Sequence, residues 1–450
     1  MGGGVTHEAP TLADPYTPDR GDPAYAVTHY DLELDYKVSS NRLSGRAVLD
    51  VRVAQDSRRL VVDLVGLRVS KVSVGGAAAK WVHRGSRVVV TPARPLTRGE
   101  RTQVAITYAG TPGPVSTRWG DVGWEELSDG ALVAAQPNGA PTWFPCNDHP
   151  RHKATYRLSF ECDSPFEVVA TGALVSSRAR GSRTRRIFVQ DVPMATYLAT
   201  VHVGRYVNRD LGPAAVPVTV ALPAVRERAV LHDLARLPEM TFHFGELFGD
   251  YPFDDYTVVV TADDLEIPLE AHALATFGPN WLDGNRRHER LVAHELAHQW
   301  FGNSLTTATW ADIWLNEGFA CYAEWLWAEH ADGVPAHVNA TTYWARLSRL
   351  PQDLVLADPG PDLMFDDRVY KRGALTLHAL RQRLGDDAFF DMVRDWVALH
   401  RHGSVSTEAF VEHATGHAAR AAGEEARDDV RRLLDEWLWT QPLPALAARA

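Results

Sequence analysis

From about residue 30 to 206, apolar side chains recur at alternate positions. Leu32, Leu34 and Tyr36 are one run; Ala47, Leu49, Val51 and Val53, with Arg46, Asp50 and Arg52 set among them, are another. A period of two places successive side chains on opposite faces of a sheet, so this stretch reads as a large antiparallel β domain. Gly75-Gly76, Gly110-Thr111-Pro112-Gly113 and Gly181-Ser182 punctuate it as turns. The pattern changes near 205–215. It then predicts a short strand over 216–222, a helical stretch over 227–248, a strand over 257–261, and mainly helices from Arg286 onward. The expected organisation is a flexible leader over 1–24, a β domain over 25–208, a mainly helical domain over 209–444 and a frayed tail over 445–450, that is, a multidomain β plus α+β chain.

Within the helical half, His294-Glu295-Leu296-Ala297-His298 lies among Leu291, Val292, Leu296, Trp300 and Phe301 at helical spacing. Two histidines four apart stack on one helix face and can converge on one ion, with Glu295 beside it as a base. After eighteen intervening residues comes Glu317, on a second apolar-rich helix predicted over 312–329. Three protein donors with a fourth position left for water are the pattern of a catalytic zinc site. Chance could supply an HExxH in a chain with 19 histidines, but not readily the additional glutamate on a second helix. The expected cofactor is one zinc ion held by His294, His298 and Glu317. Glu324, two helical turns beyond Glu317, either orients a zinc histidine from behind or is a solvated surface residue. His272, His288, His330 and His378 have no partners at ligand spacing, and Trp325, Trp327, Trp396 and Trp437 read as core.

Composition narrows the partners. The 450 residues contain 45% hydrophobic and 23% charged positions, as expected of a globular protein with more than one core. A formal net charge of −11 without a basic stripe argues against nucleic acid. Three cysteines at unrelated spacings, Cys146, Cys162 and Cys321, suggest neither a disulfide framework nor a thiolate metal site. With no signal-peptide pattern and no membrane-spanning apolar run, a cytoplasmic location and no membrane partner are expected. Met1-Gly2 with Thr6 formally fits a myristoylation pattern, but a Gly-rich start is a weak cue for it. The sequence does not fix the oligomeric state.

Several motifs together resemble the zinc aminopeptidases of the alanyl-aminopeptidase family, to which leukotriene epoxide hydrolase also belongs. They are the extended helix from His294 to Asn303, the segment Trp310 to Ala320 around Glu317, Phe144-Pro145-Cys146-Asn147-Asp148-His149-Pro150 with Lys153-Ala154, and Val369-Tyr370-Lys371-Arg372-Gly373-Ala374. The resemblance runs from about residue 25 to 444. It implies a saddle-like antiparallel β domain followed by a thermolysin-like, mainly helical catalytic domain, in a short form that stops before a C-terminal helical domain. It further implies hydrolysis of the N-terminal peptide bond of peptides with a free N-terminus. Glu295 would be the general base and Tyr370 the oxyanion stabiliser.

The family's Gly-x-Met-Glu-Asn segment corresponds here to Ile267-Pro268-Leu269-Glu270-Ala271, which keeps only the glutamate. Glu270 would bind the substrate ammonium, with Glu266 as the competing register and Gln136 as its neighbouring glutamine. Two other readings follow from the resemblance. One is an inactive binding scaffold, which the complete set of donors disfavours. The other is a lipid-epoxide hydrolase, which would draw basic residues from the missing helical domain.

Overall fold

The computed structural model describes residues 13–446, so most of the expected tail, the first half of the expected leader and Met1-Gly2 lie outside the described residues. The chain divides into two compact units. The first comprises the chain through Arg209 with Thr219–Glu227 and Thr257–Asn280; the second comprises Asp210–Val218, Arg228–Tyr256 and the chain from Trp281 onward.

The first unit is built from sheets, as the alternation predicts. Its largest has eight strands in the order Ala173–Arg180, Arg183–Ala195, Lys153–Asp163, Tyr25–Lys37, Arg42–Val53, Arg101–Gly110, Arg68–Val74 and Ala77–Ala78. One feature corrects the purely antiparallel expectation. Tyr25–Lys37 runs parallel to Lys153–Asp163, with Tyr30 opposite Tyr156 and their rings stacked at 4.9 Å. A parallel pair requires a long crossover, and more than a hundred residues of β structure form it here, which local alternation cannot reveal. Inward residues such as Leu32, Leu34, Leu49, Val51, Ile106 and Leu158 form one buried core.

The expected flexible leader is also corrected, because its described part is packed. Asp14, Tyr16, Arg20 and Ala24 are buried, Asp14 Oδ1 accepts from the Tyr16 and Thr17 amides, and the Gly21 amide donates to Asp63 Oδ2 at 2.8 Å. A short polar stretch is held here by side-chain acceptors on its backbone amides, a signal with no periodicity.

The strands beyond residue 209 largely return to this first unit. They form a five-stranded sheet in the order Tyr206–Asp210, Val218–Pro223, Tyr256–Val260, Leu274–Phe277 and Leu269–Ala271, the last being an edge strand antiparallel to Leu274–Phe277. The expected strands over 216–222 and 257–261 are therefore present within a residue or two.

The second unit is helical. In chain order its described α-helices are α1 (Glu227–Asp233), α2 (Leu237–Phe248), α3 (Glu289–Ala297), α4 (Trp314–Asp332), α5 (Ala336–Leu347), α6 (Asp367–Leu384), α7 (Asp386–His400), α8 (Thr407–Ala422) and α9 (Glu424–Trp439). The helical stretch expected over 227–248 is made of two helices, α1 and α2. Pro238 stands in the first turn of α2, where its missing N–H does no harm but ends any continuous ladder. Every residue of α4 from Trp314 to Trp327 is buried, with α3 and α6 packed against it. A helix covered on all sides shows little amphipathic period, so apolar residues occur around its whole circumference, interrupted by Asn316, Glu317 and Glu324. Trp325, Trp327, Trp396 and Trp437 are buried as expected. Among the described residues no helix is long and apolar enough to cross a membrane.

Candidate metal centre and amine-binding hairpin

Helix α3 ends at Ala297, earlier than the apolar spacing through Phe301 suggests, and His298 is its C-cap in right-handed helical conformation. Its amide still donates to the His294 carbonyl at 3.2 Å, so the two imidazoles keep their one-turn relation. The chain then reverses at Gly302, whose φ of +120° is strained for residues with a Cβ. The reversal is closed by Asn303 N donating to the His298 carbonyl at 3.0 Å and Thr306 Oγ1 donating to the Gly302 carbonyl at 2.7 Å. Beneath it, Trp300 Nε1 donates to the Gly249 carbonyl and Phe301 stacks on Phe319 of α4 at 4.0 Å. That stack ties the histidine segment to the helix bearing Glu317.

The start of α4 is fixed just as firmly. A 3₁₀ turn over Trp310–Asp312 is closed by a reciprocal Thr309/Asp312 cap, and buried Asp312 also accepts from the Thr407 amide and hydroxyl, both at 2.8 Å. This sets Glu317 in the first turn of α4.

His294, His298 and Glu317 are all buried, and one donor atom from each lies within 4.8 Å of the others. Glu317 Oε2 is 3.4 Å from His294 Nε2 and 3.5 Å from His298 Nε2. Bonds of about 2.0–2.1 Å in a tetrahedron put ligand atoms roughly 3.3 Å apart, so the donors already stand at zinc spacing. The other ring nitrogens are engaged elsewhere: His294 Nδ1 bonds Glu324 Oε1 at 2.9 Å and His298 Nδ1 bonds the Phe301 carbonyl at 3.0 Å. Acceptors behind the rings make Nδ1 the protonated nitrogen and turn Nε2 toward the ion. The donor set fits zinc in number, chemistry and spacing.

The donors influence one another. Burial works to lower the pKa of His294, but hydrogen bonds to Glu317 and Glu324 outweigh it and lift it to about 9. Burial works to raise Glu317 and Glu324, yet the charge of His298 on the first and the His294 hydrogen bond on the second, each with further partners, hold both at about 2. Glu324 is therefore not a solvated surface residue. It is 5% exposed and stands directly behind His294.

Glu295, between the two histidines, is 4% exposed. Tyr370 lies in the first turns of α6, with its ring nearly parallel to that of His294 at 6.1 Å. Spacing alone did not reveal what fixes α6 against α4. Gly318, next to Glu317, meets Gly373, three residues after Tyr370: a Cβ added at Gly373 would lie 2.7 Å from Gly318 Cα, and one added at Gly318 would lie 2.9 Å from Gly373 Cα. Backbone touches backbone, and the helix with the third donor and the helix with the tyrosine are locked at closest approach.

In the first unit, Glu270 lies on the edge strand Leu269–Ala271, opposite Ala275. Gln136 Nε2 donates to Glu270 Oε1 at 2.6 Å, whereas the alternative Glu266 sits in an exposed loop. The two-residue hairpin after Glu270 is His272-Ala273. Ala273 takes a φ of 55°, unusual for a residue with a Cβ, and the hairpin is pinned by His272, whose Nε2 is 2.8 Å from Gln190 Nε2. Of the other histidines set aside, His378 is paired with Tyr322 and His330 with Glu239, and neither joins a metal-donor set among the described residues.

Two buried imidazoles and a glutamate on adjacent helices, with a second glutamate between the histidines, define a zinc metallohydrolase. The comparisons give the family. The Peptidase family M1 domain matches residues 236–437, and the Peptidase M1 N-terminal domain matches residues 26–198. The chain belongs to peptidase family M1 and is a zinc metallopeptidase of the aminopeptidase type. A solved M1 zinc metallopeptidase from Deinococcus radiodurans, a mutant bound to a Tyr-Ser-Ala substrate, is 32% identical; the match covers 97% of this chain and 99% of that one, with a TM-score of 0.85. Leucine aminopeptidase 2 of Coccidioides immitis is 25% identical over 93% of this chain and 71% of its own length. Leukotriene A-4 hydrolase of Xenopus laevis is 26% identical over 85% of this chain and 67% of its own. The present chain thus spans about two thirds of the length of these two curated relatives and nearly all of the Deinococcus protein.

Proposed function

We propose that the protein removes N-terminal residues from peptides, using one zinc ion held by His294, His298 and Glu317. The observation that carries this reading is the buried donor triangle at zinc spacing with Glu295 on the same helix as both histidines. Zinc bound there supplies the Lewis acidity that polarises the scissile carbonyl and acidifies a water. Glu295 takes the proton of that water and passes it to the leaving amine. The Tyr370 hydroxyl donates a hydrogen bond to the oxyanion as it forms. Glu270, oriented by the Gln136 amide, accepts the substrate's free ammonium, and that charge-assisted pair limits cleavage to the first peptide bond. The Deinococcus relative's complex with a tripeptide supports a peptide as substrate here.

A panel of aminoacyl arylamides, assayed with and without a chelator, tests the reading. Turnover that is lost with chelator and restored by zinc is expected, and N-acetylated substrates should be refused. Absence of zinc-dependent turnover across the panel would overturn the activity. Equal hydrolysis of acetylated and free substrates would overturn the role of Glu270.

A further inference from the structure

Behind His294, on the far side from the donors, lie Cys321 and Lys371, buried groups to which the hydrolytic reaction assigns no task. Glu317, Cys321 and Glu324 stand at i, i+4 and i+7 on one face of α4. Lys371 of α6, the residue after Tyr370, reaches across to that face. Its Nζ lies 3.2 Å from Cys321 Sγ and 4.0 Å from Glu324 Oε1, and it sits over the Tyr343 ring at 4.9 Å. It is 5% exposed, unusual for a lysine. The other Glu324 oxygen, Oε2, accepts from Arg290 of α3 at 3.0 Å. Glu324 is thus held between one buried and one half-exposed cation while its Oε1 accepts from His294 Nδ1.

We propose that Lys371 is a positioning residue for the zinc-binding imidazole of His294, acting through Glu324. The inference rests on His294 being a zinc ligand. A carboxylate behind a ligating imidazole fixes the ring and strengthens its donor nitrogen, but a buried carboxylate keeps its orientation only where cations compensate it. Arg290 does so from the rim, where solvent weakens it. Lys371 does so from the interior, between the thiol of Cys321 and the ring of Tyr343. The lysine also places its demand at a particular spot. Because Tyr370 and Lys371 are neighbours on α6, the contact that steadies His294 also holds the register of the helix bearing the tyrosine.

The test follows zinc itself. Holoenzyme is mixed with excess chelator and the rate of zinc release is measured, and the visible absorption of cobalt-substituted protein reports the ligand field. Lys371→Met should release zinc about 10-fold faster, the low end of the roughly 10–100-fold in affinity that loss of a ligand's own outer partner costs, because Lys371 acts one step further out, and should shift the cobalt bands. Lys371→Arg should restore most of the retention. Arg290→Gln, at a half-exposed position that tolerates substitution, should speed release by a smaller factor. In a Glu324→Gln background, Lys371→Met should add little.

Release from Lys371→Met within twofold of the parent with unchanged cobalt bands would overturn the proposal, as would a full additional effect in the Glu324→Gln background. Should Lys371→Met not fold, unchanged release from Arg290→Gln would overturn it. A parent protein that binds no zinc would instead remove the ligand assignment on which the inference stands.

Discussion

The molecule buries carboxylates beside imidazoles in two places and treats them in opposite ways. In the first unit, burial and mutual repulsion push Asp63 up to about 7, and burial pushes Asp148 up to about 6. Nearby His149 and His152 are driven down by burial to about 3 and 4. All four groups move toward their neutral forms. In the second unit, His294 is raised to about 9 while Glu317 and Glu324 are held at about 2, so the groups move toward their charged forms. Both places are dry, so burial alone does not explain the difference. In the second unit each acid faces an imidazole or ammonium across a few ångströms; in the first the two acids face each other, their hydrogen bonds run to backbone amides and a threonine, and the Arg87 guanidinium stands off at 3.8 Å from Asp63, too weakly placed to offset burial. The first pattern holds loops and strands together; the second is poised to exchange protons for a metal ion.

The largest effect should come from Glu295, the acid between the two histidines proposed to hold zinc. Glu295→Gln keeps size and hydrogen bonding but removes the base, so kcat should fall by about 10²–10⁴-fold. Metal analysis should still find zinc at the parent stoichiometry, and loss of the metal would show that Glu295 belongs to the donor set instead. Next is Tyr370→Phe. Deleting one oxyanion donor costs about 2.7–4 kcal/mol of barrier, so kcat should fall by roughly 10²–10³ with little change in KM. An unchanged kcat would return Tyr370 to the role of a packing aromatic.

Gly373→Ala would sharpen the comparison from the side of packing. The added methyl would press on Gly318 beside Glu317, where two backbones already touch, so overpacking should cost about 1–3 kcal/mol of stability. It should also shift α6, and Tyr370 with it, lowering kcat more than zinc content. An equal loss of both would mean that the helix crossing supports the donors rather than the tyrosine.

The two regions also differed in how far the sequence disclosed them. The donor triangle was legible because HExxH and a later glutamate encode geometry locally, through helical spacing. Glu324 was legible as a position but not as a burial, because i+7 places it on the face of Glu317 without saying what covers that face. Lys371 was hidden because a lysine is ordinarily exposed, and only the packing of α6 on α4 shows otherwise. The Gly318–Gly373 approach was hidden for a similar reason: Gly318 follows Glu317 and Gly373 lies three residues after Tyr370, but nothing local pairs them. In the first unit, alternation announced strands and core, yet it was silent on the parallel pairing of Tyr25–Lys37 with Lys153–Asp163, on the return of the later strands to that unit, and on the packed stretch from Asp14 to Ala24. These are facts about distant segments, and a period of two carries no address.

The smallest effect, and the one that tests the first unit's pattern directly, lies in acid stability. A carboxylate whose folded pKa is raised binds more protons when folded, so between about pH 4 and its folded value it adds stability as pH falls. Asp63 and Asp148 do this up to about pH 7 and 6. A histidine whose folded pKa is lowered binds fewer protons when folded and removes stability as pH falls from about 6.5 toward that value, as His149 and His152 do toward about 3 and 4. Between about pH 4.5 and 6 the pairs oppose, two protons against two, and their combined slope is small. His152→Gln removes one opposing proton, so relative to the parent the variant should gain up to about 1.4 kcal/mol per pH unit as pH falls through that window. Denaturant unfolding of parent and variant at matched pH, followed by a probe in the first unit, measures the difference. Parallel curves would mean that His152 is charged in the folded protein, and that the contrast between neutral and charged burial does not hold at this position.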